Sequence, residues 1–493
     1  MTDSRSLLTL FLRLTFLLLL LSTDSLYAQI TLVPCPKVII DSVAFSGNKL
    51  TKDDIIRREL IFRAGDTVTS AELDQLIQRS RQNLLNTSLF NFVTVFLKNP
   101  RDLNADFVLD TLEATIGYCH CVIKMDFRER WYLWPQPILE LFEQNINTWA
   151  KNPTLNRLSY GLYLSRYNFL GKKQVLTLTC KLGYAEQYGV SYTIPYIDRW
   201  KKSGLIFSCY FTQTHEVPYS SFNNQFLFYK DDGSPVRKEV SARITYTYRI
   251  GIYNTIAGEC RYNHAWINDT IMRLSDNYFT DNQTTIEYFS LVLGFISDHR
   301  DNKPFPLKGY YINLSANKAG LGILGDEHTD LLQFGASLRG YWQIAGRLYA
   351  GVGYKGRLYA EKNVPFYLQN TLGYRDYVRG YEYYIVEGQN YSLLKNELRY
   401  QLISPHVKKI AFLPLEKFNT FHYALYAGIF ADLAYVQSKD IQSMTKNTLN
   451  NTLMYGYGLG IDFVTYYDIV LRVEYAFNRM GENGLFLHLN TPL

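Results

Sequence analysis

The sequence predicts a transmembrane β-barrel of about 16 antiparallel strands, preceded by a small α+β domain with the order β-α-α-β-β. Three observations support this fold class. Aromatic residues make up 15% of the chain, including 41 Tyr, yet the mean hydropathy is slightly negative. From about residue 156 to the end, apolar and polar residues alternate with the period of a strand. After the N-terminal segment, no window holds the roughly 20 apolar residues that a membrane helix needs.

The first 28 residues have the order of features typical of a signal peptide. Arg5 and Arg13 precede an apolar run from Leu14 to Leu21, and the small residue Ala28 precedes Gln29. The run is too short to cross a bilayer as a helix. We therefore predict a signal peptide over residues 1–28 and export of the chain.

The charge and the cysteines exclude some classes of protein. The net charge of +6 is distributed without clusters of Lys and Arg, so we predict no nucleic-acid partner. Six cysteines are too few and too scattered for a disulfide framework. Cys119 and Cys121 lie on one face of a predicted strand, and Cys35 precedes the same region. A disulfide from Cys35 to either of them and a set of three packed thiols both remain open.

Residues 37–133 alternate between strand and helix patterns. VIIDSVAFSGN predicts a strand that ends in a turn, Ser70 begins a helix with apolar residues at helical spacing, and FNFVTVFLK and CVIKMDFRER predict two further strands. The runs VAFSGN, IIRREL, AGD and LLNTSLFNFVTVFL resemble a POTRA domain, the periplasmic module attached to outer-membrane assembly barrels. The resemblance implies that the domain offers strand edges to incoming polypeptide. The alternative is a small domain that only packs against the barrel.

After a predicted linker over residues 134–155, residues 156–493 predict the barrel. The segment EVSARITYTYRI, residues 239–250, places apolar side chains on one face and Ser, Arg and Thr on the other. Charged side chains on the second face suit a barrel whose outside meets lipid and whose inside is wet. The barrel must close, because an open edge in lipid leaves backbone groups without partners. We expect strands near residues 158, 174, 188, 204, 222, 238, 253, 284, 307, 329, 346, 391, 421, 453, 467 and 484.

Four stretches of this region resemble the outer-membrane assembly-factor superfamily, also called the BamA/TamA-like bacterial surface antigen family. YNFLGKKQVLTLTCKLG with YGVSYTIPYID is similar to its opening hairpins, and YAGIFADLAYV contains an acid, Asp432, that matches the strand facing its lumenal loop. The VRGY stretch looks like the tip of the loop that folds back inside the barrel. The mid-barrel and loop motifs comprise Asp298, Arg300, Asp301, Pro306, Gly309, Val378, Arg379, Gly380 and Tyr381.

The resemblance and simple electrostatics together assign a role to Arg379. A guanidinium inside the barrel needs an acid or water, and its planar fork fits a carboxylate with two hydrogen bonds. We therefore expect Arg379 to pair with Asp432 and to fix the tip of the loop over residues 361–390, with Gly380 allowing a sharp turn. The alternative is an arginine in a surface loop exposed to solvent.

The resemblance also implies a weak seam between the first and last barrel strands. We expect the first strand near Tyr160 and Tyr167 and the last near Gly484, Leu487 and Leu489. A short final strand makes few hydrogen bonds across the seam, so local opening there is expected to cost less than elsewhere.

The predicted function is assembly or insertion of outer-membrane proteins, or translocation of polypeptide, by a specialised or accessory member with a single POTRA domain. Alternatives are a two-partner-secretion-type exporter of a dedicated protein and a passive pore. We predict no enzymatic activity, no cofactor and no metal ion. The expected location is the cell outer membrane, with the N-terminal domain in the periplasm. Expected partners are outer-membrane lipids, unfolded outer-membrane or secreted polypeptides, and accessory lipoproteins or periplasmic chaperones.

Overall fold

The computed structural model describes residues 37–99, 102–106, 118–323, 329–361, 363–369, 372–374, 376–409, 420–438, 446–465 and 470–489. The chain divides into two compact units, with the boundary between Arg130 and Trp131. The predicted signal peptide over residues 1–28 and Cys35 lie outside the described residues.

The first unit is an α+β domain with one five-stranded sheet. Its elements are β1 (Lys37–Ser46), α1 (Asp53–Glu59), β2 (Thr67–Val68), α2 (Ser70–Asn86), β3 (Phe90–Asn99), β4 (Asp102–Asp106) and β5 (Tyr118–Glu129). The strand order is β2-β1-β5-β3-β4, and β1 pairs with β5 in parallel. The predicted order β-α-α-β-β is confirmed, and the structure adds the short strands β2 and β4.

Local sequence signals explain why these elements form. The side chain of Thr69 accepts a hydrogen bond from the N–H of Glu72, and Glu72 reaches back to the N–H of Thr69, which makes a capping box at the start of α2. The hydrogen bond from Thr69 lowers the pKa of Glu72. The helices and the sheet bury apolar side chains between them, among them Ile40, Ile56, Leu84, Ile123 and Met125.

The structure distinguishes between the two cysteines of β5. Cys119 is disulfide-bonded, whereas Cys121 is a free and fully buried thiol. Burial, with a smaller contribution from Asp41, raises the pKa of Cys121 to about 11. The prediction of three packed thiols is therefore wrong for Cys119, and the position of Cys35 lies outside the described residues.

In the residues that the structure describes, the second unit is an antiparallel β-barrel built from a sheet of 16 strands. The number predicted from the sequence is confirmed. Its strands are β6 (Leu133–Leu141), β7 (Leu158–Phe169), β8 (Gln174–Gly183), β9 (Ala185–Ile194), β10 (Ser203–Thr214), β13 (Arg237–Ile250), β14 (Asn254–Ile267), β15 (Thr285–Asp298), β16 (Gly309–Ala319), β17 (Leu331–Ala345), β18 (Leu348–Tyr359), β19 (Asn390–Lys409), β20 (Thr420–Gln437), β21 (Met454–Thr465), β22 (Val470–Asn478) and β23 (Asn483–His488).

The segment predicted near residue 222 is not part of the barrel wall. It forms β11 (Glu216–Phe222) and β12 (Gln225–Lys230), a separate two-stranded hairpin between β10 and β13. The alternation that predicted a wall strand there is also typical of a hairpin, so the pattern could not separate the two. Two short helices, α3 (Ile146–Lys151) and α4 (Asp269–Leu274), lie in the connections after β6 and β14.

The predicted linker over residues 134–155 is wrong, because it contains the first strand of the barrel. Strand β6 pairs with β7 along its whole length, from Leu133 opposite Arg166 to Leu141 opposite Leu158. Pro135 and Pro137 obscured this strand, since proline lacks the N–H that a central strand needs. The barrel therefore begins at β6 and not at residue 156.

The hydrogen bonds of β6 show which way its two prolines face. The carbonyl of Tyr132 accepts a hydrogen bond from Tyr167, and the N–H of Phe142 donates to Arg157, so even-numbered residues face β7. Adjacent residues of a strand direct their backbone groups to opposite sides. Pro135 and Pro137 therefore face the other side, which is the free edge of β6.

The two faces of the barrel wall have opposite character. Outward-facing residues such as Leu398, Leu433, Leu459 and Tyr475 are exposed. Their neighbours along the same strands include the buried polar residues Glu397, Asp432 and Glu474. This pattern places an apolar surface outside and a polar lumen inside. Among the described residues, no helix is both long and apolar enough to cross a membrane.

Candidate functional site

The loop between β18 and β19 enters the barrel and brings the VRGY stretch to the inner wall. Val378, Arg379, Gly380 and Tyr381 are all buried, and Arg379 has no exposed surface. The alternative of a solvent-exposed arginine is therefore wrong. The loop reaches the face of β20, β21 and β22 that points into the lumen.

Arg379 makes a bidentate pair with Asp432 of β20. Its Nε lies 2.8 Å from Oδ2 and its Nη2 lies 2.5 Å from Oδ1 of that carboxylate. The backbone N–H of Arg379 donates to the same Oδ2 over 3.1 Å. The guanidinium also lies 4.0 Å from the ring centre of Phe430, a cation–π contact. The expected pairing of Arg379 with Asp432 is present in the structure.

Other buried charges extend this pair into what we call the lumenal ion network. Nη1 of Arg379 lies 3.4 Å from Glu397 of β19 and 3.5 Å from Glu474 of β22. Arg472 contacts Glu474 over 3.3 Å and Glu397 over 3.1 Å. The network comprises Arg379, Glu397, Arg399, Asp432, Asp462, Arg472 and Glu474, each at most 5% exposed.

Glycines allow the loop tip to approach the wall this closely. Gly380 has a φ of +93°, in the left-handed region that other residues rarely adopt. On the wall, a Cβ added to Gly456 of β21 would lie 1.9 Å from the carbonyl oxygen of Arg379. The carbonyl of Gly380 accepts a hydrogen bond from Asn478 over 2.9 Å, and the hydroxyl of Tyr381 donates to the carbonyl of Tyr455 over 3.3 Å. The tip is therefore fixed by its backbone as well as by Arg379.

The mid-barrel motif forms the turn between β15 and β16. Arg300 pairs with Asp298 through two hydrogen bonds of 2.8 and 2.9 Å. Asp301 accepts a hydrogen bond from the N–H of Leu307 over 3.0 Å, which closes the turn. Gly309 has a φ of +99°, and a Cβ there would lie 2.1 Å from a backbone oxygen. The motif thus specifies the shape of a turn.

This turn also reaches the lumenal ion network. The carbonyl of Pro306 accepts a hydrogen bond from Nη1 of Arg399 over 3.2 Å. The guanidinium of Arg399 lies 4.5 Å from the ring centre of Phe305, which packs against Tyr426. Two motifs that are about 70 residues apart in the chain therefore meet the same buried charges.

The predicted first strand of the seam is corrected by the structure. Tyr160 and Tyr167 lie on β7, the second strand, because β6 precedes it. Gly484 and Leu487 lie on β23, the last strand, and Leu489 follows its end. In the part of the chain that the structure describes, β6 pairs only with β7 and β23 only with β22.

A side chain occupies part of the free edge of β23. Asn147 of α3 donates from Nδ2 to the carbonyl of Leu487 over 3.1 Å and accepts from its N–H over 2.7 Å. Its amide thus makes the pair of hydrogen bonds that a residue of a neighbouring strand would make. The start of α3 is attached to the lumenal loop, since Asn145 donates to the carbonyl of Glu382 over 2.5 Å.

Sequence reasoning missed most members of the lumenal ion network and the whole of α3. The signal for the first was present, because Glu397, Arg399, Arg472 and Glu474 alternate with apolar residues along β19 and β22. Alternation shows that such charges face the lumen, but not which of them meet. Asn147 gave no signal, since it lies in a segment interpreted as a linker.

The fold and the site together define a class of protein: a β-barrel with a loop fixed in its lumen, preceded by a POTRA domain. Residues 168–480 match the family model of the Omp85 superfamily domain, and residues 38–109 match that of the POTRA surface antigen variable number repeat. The chain belongs to the Omp85 superfamily. The predicted resemblance to the outer-membrane assembly-factor superfamily is thereby confirmed.

Similarity to a solved BamA structure agrees with the fold. BamA from Haemophilus ducreyi lacking POTRA domains 1–3 has a TM-score of 0.64 at 17% identity, covering 91% of this chain and 83% of that one. CdiB from Acinetobacter baumannii has a TM-score of 0.45 at 12% identity, covering 92% of this chain and 74% of that one. CdiB from Escherichia coli has a TM-score of 0.44 at 11% identity, covering 92% and 89%. No curated protein sequence matches the chain.

Proposed function

We propose that this protein is a specialised or accessory factor that assembles β-barrel proteins in the outer membrane, with its POTRA domain in the periplasm. Membership of the Omp85 superfamily supports a role in insertion or translocation of polypeptide. The proposal includes no catalytic step and no cofactor. Its partners would be membrane lipids and unfolded polypeptides, with accessory lipoproteins or chaperones as delivery factors.

The observation that carries this proposal is the one-sided pairing of β6 and β23 at the seam. Each has a backbone edge that a client strand could extend by β-augmentation. The free edge of β6 lacks two backbone N–H donors, because Pro135 and Pro137 lie there. The Asn147 amide covers part of the edge of β23. These restricted edges favour a narrow set of clients over general assembly.

The test is to deplete the protein and quantify the outer-membrane proteome. The proposal predicts loss of a defined group of β-barrel proteins. Loss of a single exported species, with the barrel proteins unchanged, would contradict it and favour a dedicated secretion partner. A parallel strain that produces the Asn147→Ala variant should keep these clients and accept additional ones, because the variant exposes the part of the β23 edge that Asn147 covers.

A passive pore is the second candidate, and the buried loop argues against it. Because Arg379 fixes the loop tip against the inner wall, we expect low conductance in planar bilayers. Deletion of residues 361–390 should raise the conductance. High and steady conductance of the intact protein would favour the pore.

A further inference from the structure

Three buried side chains from three different elements converge beside the seam. Glu382 belongs to the lumenal loop, Glu474 to β22 and His488 to β23, and their side chains are 0%, 1% and 8% exposed. Nε2 of His488 lies 3.2 Å from Oε2 of Glu474 and 3.5 Å from Oε1 of Glu382. One atom from each side chain lies within 4.8 Å of the other two.

Apart from their contacts with one another, these three atoms have no hydrogen-bond partner in the described part of the chain. Oε1 of Glu382, Oε2 of Glu474 and Nε2 of His488 are buried and make no hydrogen bond there. Buried polar atoms are normally satisfied, and an unsatisfied one costs about 1–3 kcal/mol. Three of them lie within 4.8 Å of one another, so a single ligand held between them would satisfy all three.

The opposite end of each side chain is fixed by an outer partner. Oε2 of Glu382 accepts from the N–H of Gly380 over 2.9 Å, and Oε1 of Glu474 accepts from Arg472 over 3.3 Å. Nδ1 of His488 lies 3.0 Å from the hydroxyl of Tyr377. Metal-binding histidines and carboxylates are typically oriented in this way by hydrogen bonds from an outer shell.

Two of the distances among these atoms fit ligands of one metal ion. Ligand atoms at about 2.0–2.2 Å from a tetrahedral Zn²⁺ lie about 3.3–3.6 Å apart, close to the two separations of His488 from the carboxylates. A proton on Nε2 would serve only one carboxylate at a time and would leave the buried oxygen of the other carboxylate without a donor. Carboxylate oxygens and imidazole nitrogens are both ligand types that Zn²⁺ uses in proteins.

We propose that Glu382, Glu474 and His488 bind a divalent transition-metal ion, with Zn²⁺ as the fitting example. The three ligands leave a fourth tetrahedral position for water. Such an ion would join the last strand, its neighbour β22 and the lumenal loop at one point. A role for the bound ion in closing the seam rests on the proposed function, whereas metal binding itself does not.

The test measures metal binding and unfolding of the full chain in detergent micelles. The protein is purified without a histidine tag, treated with EDTA, incubated with Zn²⁺, dialysed and analysed for metal by mass spectrometry. About one Zn²⁺ per chain is expected to remain. Free Zn²⁺ at about 100 times its Kd should raise the ratio of folded to unfolded protein about 100-fold.

Two variants and one control assign the binding to these residues. Glu382→Gln and His488→Gln are expected to lose the retained Zn²⁺ and the stabilisation by Zn²⁺. His406→Gln, on an exposed part of β19, should keep both. If a variant fails to fold, the EDTA and Zn²⁺ comparison on the wild-type protein still decides the question.

Two results would overturn the proposal. One is wild-type protein that retains no Zn²⁺, Mn²⁺, Co²⁺ or Ni²⁺ and unfolds at the same point with metal and with EDTA. The other is retention of metal by both variants at the wild-type level. Normal metal binding with no effect of EDTA on the outer-membrane proteome would leave the site in place and reject only its role at the seam.

Discussion

Replacement of Arg379 by alanine is expected to destabilise the barrel strongly. The side chain is fully buried, and its loss leaves the carboxylate of Asp432, which is 1% exposed, without its bidentate partner. Removing one member of a buried ion pair typically costs about 3–5 kcal/mol, because the remaining charge stays desolvated. We expect a loss of this size in the free energy of unfolding.

A double replacement separates the cost of the orphaned charge from the value of the pair. In Arg379→Met with Asp432→Leu, the charge of Asp432 is not left behind, and Glu397 and Glu474 keep their contacts with Arg472, so the loss should be smaller than in either single variant. Asp330→Ala is a matched control, because Asp330 pairs with Lys318 at an exposed position and such pairs contribute little.

The assay is chemical unfolding in detergent micelles, with the heat-dependent shift in gel mobility as a second measure of the folded barrel. The free energy of unfolding is compared among the wild type, the single variants, the double variant and the control. Wild-type stability of both Arg379→Ala and Asp432→Ala would refute the reasoning. Equal losses in the single and double variants would show that packing, and not the buried charge, accounts for the effect.

Three further predictions concern other parts of the chain. Asn147→Ala should free the edge of Leu487 and increase disulfide trapping between cysteines introduced in a client strand and in β23, and unchanged trapping would contradict the edge contact. Gly456→Ala should displace the loop tip, because its Cβ would lie 1.9 Å from the carbonyl oxygen of Arg379, and protease resistance of the loop measures this. Cys121, with a pKa of about 11, should stay unlabelled by maleimide at pH 8, since the thiol remains protonated and buried, and should react after unfolding in urea.

The sequence predicted the fold where the period of side chains was clear. Alternation located 15 of the 16 wall strands in the described residues, and the helical spacing of apolar residues after Ser70 located α2. It failed at β6, whose two prolines are incompatible with a central strand but tolerated at an edge. It also failed near residue 222, where a hairpin has the same period as a wall strand. The period of the side chains shows which face of a strand a residue occupies, but it does not show which sheet the strand joins.

The candidate site was predicted only in part, for a similar physical reason. Arg379 and Asp432 could be paired because a lumenal arginine requires an acid, and the superfamily motifs indicated which one. The contacts of the partners Glu397, Arg472 and Glu474 depend on the register of four strands, which determines which residues lie opposite each other. A shift of one residue would turn each of these charges toward lipid, and local sequence does not encode the register.

The two prolines of β6 determine how tightly its free edge can bind a client strand. A strand docked along its free edge would present acceptors to Pro135 and Pro137, neither of which has a hydrogen to donate. At about 1 kcal/mol for each missing hydrogen bond, two of them correspond to release about 30-fold faster. Under the proposed function, this edge would therefore bind a client strand for a short time and release it before the next client arrives.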